Sequence, residues 1–260
     1  MGKSKPIGIF DSGIGGTSIF KEIHQLLPFE KIIYLADSKH APYGRKAPEE
    51  IVNLAIKNTE LLLKMNCKLI VVACNTATTN AIQTLRTTYP VPFIGIEPAI
   101  KPAALASSKK KVGILATKGT LSSKLFAETS SKFAKDIQTI EVIGQGLVEA
   151  IESGKINHPS TFELLKDIMQ PILEQDIDFL VLGCTHYPYL IPQLEKILPE
   201  HVQIIDSGKA VARQTKRILL SQNQLAESPQ GNPVFYSNKD PEILKSFLND
   251  KSFRVEFLEF

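Results

Sequence analysis

At 260 residues, with 43% hydrophobic and 22% charged positions, the chain has material for one large or two small soluble domains, each with a sound core. Net charge is only +3 and is spread along the chain, which argues against a nucleic-acid partner; the run Lys109-Lys110-Lys111 reads as a solvated bend before a strand. No apolar stretch is long enough to span a bilayer, and the opening MGKSKPIGIF lacks the apolar core and cleavage site of a signal peptide. Three cysteines without a disulfide-framework spacing fit a reducing compartment, so a cytoplasmic protein is expected.

Short β-branched runs alternate with helical patterns almost throughout. Strands are expected over 5–10, 32–36, 69–73, 93–96, 112–116, 139–143, 179–183 and 203–205. Between them, Ile19, Phe20, Ile23, Leu26 and Leu27 share one helical face, as do Ile51, Leu54, Ala55, Leu61 and Leu62. Continuous apolar strands such as LIVVA and FLVLG suit a sheet covered on both faces, and the alternation predicts doubly wound α/β architecture with mostly parallel sheets. The chain also repeats itself: Ile7 matches Val112 and Cys74 matches Cys184 at nearly equal offsets. Two similar halves follow, related by a pseudo-two-fold axis, with a cleft between them. Residues 221–232 read as a loop, after which VFYS, PEILKSFLND and FRVEFLEF add a further β-α-β unit. With crossings near Glu97 and Asp206, the expected first domain is 1–97 plus 207–260, and the second is 98–206.

Cys74 and Cys184 occupy matching settings, each ending an apolar strand and preceding short hydrogen-bonding residues that open a helix. Sites in open α/β sheets form at the carboxyl ends of strands, and a helix N-terminus there favours anions and lowers a thiol pKa. A lone buried cysteine is most often a packing residue, but two in equivalent positions point to chemistry across a shared cleft. Cys67, in KMNCKL, has no counterpart and reads as packing. Neither CxxC nor HxxxH occurs, so no zinc site is expected. Asp11-Ser12-Gly13-Ile14-Gly15-Gly16 resembles a phosphate loop, but Ser18 stands where GxGxxG needs its last glycine. Its glycines are expected to bring backbone amides near a small anion, with Asp11 as an acid–base or ammonium partner. Thr117, Gly119 and Thr120 form the matching loop of the second half. Pro42, Tyr43 and Gly44, within the segment from Asp37 to Arg45, make a turn whose amides could hold a carboxylate; a surface turn would look the same. Spacing alone gives Glu149 no role, and of the histidines only His186, two residues after Cys184, stands near a candidate group.

The stretches IGIFDSGIGGTS, YLADSKHAPYGR, LIVVACNTATTNAI, GIEPAIKPAA, VGILATKGT, FLVLGCTHYP and IIDSGKAVAR together resemble the glutamate racemase family, in family order from Ile7 to Arg213. The resemblance implies that Cys74 and Cys184 are the two acid–base residues, one as thiolate and one as thiol. It implies that Asp11 assists Cys74, while Glu149 and His186 assist Cys184. Ser12, Pro42, Tyr43, Gly44, Asn75, Thr76, Thr117, Thr120 and Thr185 would bind the substrate, with Asp37 beside them. Many relatives carry Cys-Pro just before the Leu-Val-Glu segment, where this chain has Gln145-Gly146. The resemblance further implies no cofactor and no metal, a role in making cell-wall D-glutamate for peptidoglycan, and a homodimer.

Inverting an α-carbon requires taking its proton from one face and returning one to the other, so two groups on opposite faces are the natural solution. The carbanion between them needs fixed dipoles in a closed, dry cleft. Competing readings are an aspartate racemase of the same group and a non-catalytic amino-acid-binding protein, for which paired acid–base groups are superfluous. A hydrolase built on Cys184 and His186 would need two residues of one tight turn to face each other, and would leave Cys74 unexplained.

Overall fold

The structure is a computed structural model that describes residues 2–134, 136–248 and 250–260. Two parallel sheets organise it. The first half runs β1 (Ile7–Asp11), α1 (Thr17–Leu26), β2 (Ile32–Ala36), α2 (Pro48–Lys64), β3 (Leu69–Val72), α3 (Asn75–Thr88) and β4 (Phe93–Gly95). Then come α4 (Ile100–Ala106), β5 (Lys111–Ala116), α5 (Lys118–Leu121), α6 (Lys124–Phe133), β6 (Gln138–Ile143), α7 (Leu147–Glu152), α8 (Pro159–Leu173), β7 (Phe179–Gly183), α9 (Ile191–Ile197) and β8 (Gln203–Ile205). The tail supplies α10 (Gly208–Ser221), β9 (Val234–Ser237), α11 (Pro241–Ser246) and β10 (Arg254–Phe257).

The first sheet has the order β10-β9-β2-β1-β3-β4 and the second β6-β5-β7-β8. Corresponding strands therefore lie in the same order, with β1 matching β5 and β3 matching β7, and every described pairing is parallel. Strand order reverses between β1 and β3 in one sheet and between β5 and β7 in the other, and at such switch points a crevice opens beyond the strand ends. The chain leaves the first sheet after β4 and returns after β8, and at the crossings the Ser207 hydroxyl donates to the Glu97 carbonyl.

Burial explains why the central strands read as unbroken apolar runs. All of β1, β2, β3 and β7 is buried, because helices cover both faces. Helix α2 begins with Pro48 at its first position, has Glu49 and Glu50 in its first turn and ends near Lys64, all favourable to the helix dipole. Ile19, Phe20 and Ile23 of α1 are buried as expected, while Leu26 is exposed at the helix end. Cys67 is buried in the core beneath Gly8, and burial pushes its thiol up to about 12, which suits packing.

The tail is fastened by aromatic packing. Phe235 of β9 lies 4.7 Å from Phe20 of α1, edge to face, and 5.6 Å from both Tyr34 of β2 and Phe253. Tyr34 in turn donates its hydroxyl to the Gly13 carbonyl at 2.8 Å, which links this cluster to the loop after β1.

Candidate active site

Every strand end at the two switch points delivers a polar side chain to one place between the sheets. Asp11 ends β1, Cys74 caps α3 two residues after β3, Thr117 follows β5 and Cys184 follows β7. Together with Ser12, Pro42, Tyr43, Gly44, Asn75, Thr76, Val148, Thr185 and His186, Cys74, Thr117 and Cys184 line one cavity. About 10 Å³ of it is open to the centre of a water molecule, room for one water and not for an amino acid. The form seen here is closed.

Cys74 is 5% exposed. Its sulfur accepts the Ala77 amide at 3.4 Å and its thiol donates toward the Ser12 hydroxyl at 3.7 Å. The helix N-terminus was expected to lower this thiol's pKa. Burial instead pushes it up, the Asp11 carboxylate adds to the rise, and the two hydrogen bonds do not offset them, so Cys74 keeps its proton. Asp11 is fully buried, accepts the Gly13 amide at 3.0 Å and accepts the Thr185 hydroxyl at 3.2 Å. Desolvation raises it to about 6, against the pull of the nearby His186.

Cys184 is followed by a short 3-10 turn, Tyr187–Leu190, rather than directly by a helix. Within this turn the His186 Nδ1 lies 3.7 Å from the Cys184 sulfur, so the two residues do face each other, contrary to the expectation for a tight turn. Burial alone would hold His186 neutral. Its bonds to Cys184 and to a carboxylate outweigh burial and raise its pKa well above the usual imidazole range.

That carboxylate belongs to Glu152, not Glu149. Glu152 Oε1 lies 2.6 Å from His186 Nε2 and also accepts the Ile14 amide at 2.7 Å, while Oε2 accepts the Ser38 hydroxyl at 3.0 Å. The expected pairing of Glu149 with Cys184 is therefore corrected: Glu149 lies one turn earlier on α7 and forms an ion pair with Arg45. Both residues line a wider outer chamber of about 500 Å³, which shares Pro42, Gly44, Thr117 and Val148 with the closed cavity. Glu152 escaped the sequence reading because α7 carries two glutamates three residues apart. Local spacing does not separate them, since residues three apart share a helix face; only the fold brings His186 against Glu152.

The glycine loop is also reassigned. The anion its amides meet is the chain's own Glu152, at the Ile14 amide. A Cβ on Gly13 would fall within the Glu152 carboxylate, and one on Gly15 within the His186 ring. These glycines let the first half close onto the acid–base pair of the second.

Asp37 does not line the cavity. It is fully buried behind Tyr43, whose hydroxyl donates to Oδ2 at 2.5 Å. Thr76 reaches Thr117 at 2.8 Å and Thr120 at 3.4 Å, joining the halves through hydroxyls. Both amide atoms of Asn75 are buried in the cavity wall with no protein partner, which is what a residue awaiting a polar ligand shows. Among the described residues no group of His, Cys, Asp and Glu side chains has metal-site geometry, and no helix is long and apolar enough to cross a membrane.

Repeated α/β halves that each present a buried cysteine to one cavity, with Asp11 beside one and His186 beside the other, define a two-thiol α/β protein. The family described as Asp/Glu/hydantoin racemase matches residues 7–215, and the chain belongs to that family. It is 46% identical over 244 residues to a glutamate racemase of Ectopseudomonas mendocina, covering 94% of this chain and 93% of that one. Its fold matches a glutamate racemase isoform of Bacillus anthracis with TM-score 0.89 at 29% identity, covering 99% and 98% of the two chains. It also matches the Escherichia coli glutamate racemase, solved with L-glutamate and an activator, with TM-score 0.87 at 34% identity over 98% and 97%.

Proposed function

We propose that this chain interconverts L- and D-glutamate by a two-base mechanism carried by Cys74 and Cys184. The observation that carries the reading is the placement of two sulfurs at corresponding strand ends of two repeated halves, each with its own acid–base partner. Substrate identity rests on the relatives, which are named glutamate racemases and cover most of both chains.

In the proposed cycle Cys74 starts as the thiol, and Cys184 hands its proton across the 3.7 Å contact to His186, whose other ring nitrogen meets Glu152. The Cys184 thiolate then takes the α-proton from one face. The C–H electron pair moves toward the α-carboxylate, and Cys74 delivers its own proton to the opposite face. The products are the inverted amino acid, a Cys184 thiol and a Cys74 thiolate; the reverse turnover runs the same transfers backwards. Asp11, raised to about 6, provides a nearby acid–base group for resetting Cys74. Asn75, Thr76, Thr117 and the Pro42–Gly44 turn hold the carboxylates and ammonium, with Thr120 and Thr185 buttressing them. No step uses a cofactor.

The proposal includes a division into 1–97 plus 207–260 and 98–206, which separate so that glutamate can reach a cavity now too small for it. It also includes a cytoplasmic homodimer that supplies D-glutamate for peptidoglycan. L-Glutamate incubated with the protein in D2O should lose optical rotation while its α-proton signal disappears. Racemisation of aspartate but not glutamate would overturn the substrate, and no turnover of either would favour a binding protein.

A further inference from the structure

The turn that carries Pro42, Tyr43 and Gly44 runs into a short 3-10 helix, Tyr43–Arg45. Its tether runs through Asp37 to the far end of the chain. Asp37 Oδ1 accepts the Asn238 side-chain amide at 2.5 Å and also meets His40 Nδ1 at 2.6 Å, while Oδ2 takes the Tyr43 hydroxyl. Asn58 donates to the same Tyr43 oxygen at 3.1 Å. Asn238 follows β9 directly and is 3% exposed. Its amide oxygen accepts the Lys39 backbone amide at 2.9 Å, and its nitrogen reaches the Phe260 backbone oxygen at 3.1 Å. One side chain from the tail thus grips the loop after β2 at two points, its backbone amide and its buried carboxylate.

A buried carboxylate with several donors is fixed in orientation, and loss of one donor frees it to rotate or draw in water. Here any such movement is passed straight to Tyr43, which is 1% exposed and forms part of the cavity wall. We propose that Asn238 is a positioning residue for the substrate-binding turn, acting through the Asp37 carboxylate on Tyr43. The inference rests on the proposed glutamate racemase activity for its kinetic arm. It gives the tail unit, which carries no residue of the cavity itself, a part in substrate binding.

The test combines kinetics with backbone exchange on the full chain. Asn238→Ala should raise KM for glutamate about 5- to 30-fold while kcat falls less than threefold, since a displaced turn weakens binding of ground and transition states alike. Asn238→Asp, which sets a second carboxylate against Asp37, should raise KM further. On a Tyr43→Phe background Asn238→Ala should add little, because the route from Asn238 to the cavity is already cut. Amide exchange of residues 40–46 should quicken in Asn238→Ala, with that of residues 69–88 unchanged. If the alanine variant does not fold, Asn238→Ser is read in the same way. Unaltered KM and exchange in an active enzyme would overturn the proposal, as would an equal effect with and without the Tyr43 hydroxyl. A wild-type protein inactive on glutamate would sink the activity instead, and the exchange measurement would then decide the positioning role alone.

Discussion

Glu152 and His186, from two different segments of the second half, lie 2.6 Å apart, and the Ile14 amide of the first half closes on the same glutamate oxygen. The pair itself lies within the second half, and the Ile14 amide and Ser38 hydroxyl of the first half complete the hydrogen bonds to Glu152.

Glu152→Gln removes the anion that supports the His186 imidazolium, so kcat should fall about 10²-fold, the lower range for loss of a positioned acid–base group. Glu149→Gln should change kcat less than threefold. Steady-state rates for both variants separate the two glutamates directly.

The pH dependence follows from Asp11. Its folded value of about 6 lies above the ordinary 3.8 because burial disfavours its charge. A raised carboxylate contributes stability below its unfolded pKa and loses it as pH climbs through the folded one. Asp11→Asn, which cannot ionise, should therefore gain on the wild type by about 2 kcal/mol between pH 4 and pH 7, following about 1.4 kcal/mol per unit. Denaturant unfolding at a series of pH values measures this. If the Asp11 carboxylate must be ionised for turnover, the wild-type rate should also rise with pH near 6, and the variant should lack that limb.

Gly15→Ala places a methyl group within the His186 ring. The variant should fold, with a lowered melting temperature, yet lose most of its kcat because the halves cannot close over the histidine. Circular dichroism melts alongside rate measurements separate this outcome from simple unfolding.

The Arg45–Glu149 ion pair bridges the halves at the rim of the outer chamber, with Arg45 58% exposed in its side chain. Exposed pairs contribute about 0–1 kcal/mol. Breaking it through Arg45→Gln should leave the melting temperature nearly unchanged and alter KM by a few-fold at most. The doubly reversed Arg45→Glu, Glu149→Arg protein should recover what either single reversal loses.

The strands and both thiols were legible because their signals are local. An apolar run ended by Cys and short polar residues marks a covered strand opening onto a site, and the run occurs twice. Glu152 was not legible, since two glutamates share α7 and only the folded contact with His186 tells them apart. Nor were the partners of the glycine loop, since the space that Gly13 and Gly15 vacate is filled by residues about 140 and 170 positions away. Asp37 shows the same limit: the loop was recognisable, but its carboxylate turns back to Tyr43 and Asn238 through contacts that only the folded tail creates. For Cys74, the helix N-terminus was visible in the sequence, whereas the stronger effect of burial beside Asp11 was not.

The central claim is that each sulfur serves one face of the α-carbon, and α-proton exchange in D2O by single cysteine variants tests it most directly. Cys74→Ala and Cys184→Ala should each abolish racemisation. Each should retain slow exchange without inversion in one enantiomer only, and the two variants should select opposite enantiomers. Substantial racemisation by either variant, or exchange of the same enantiomer by both, would contradict the two-face arrangement.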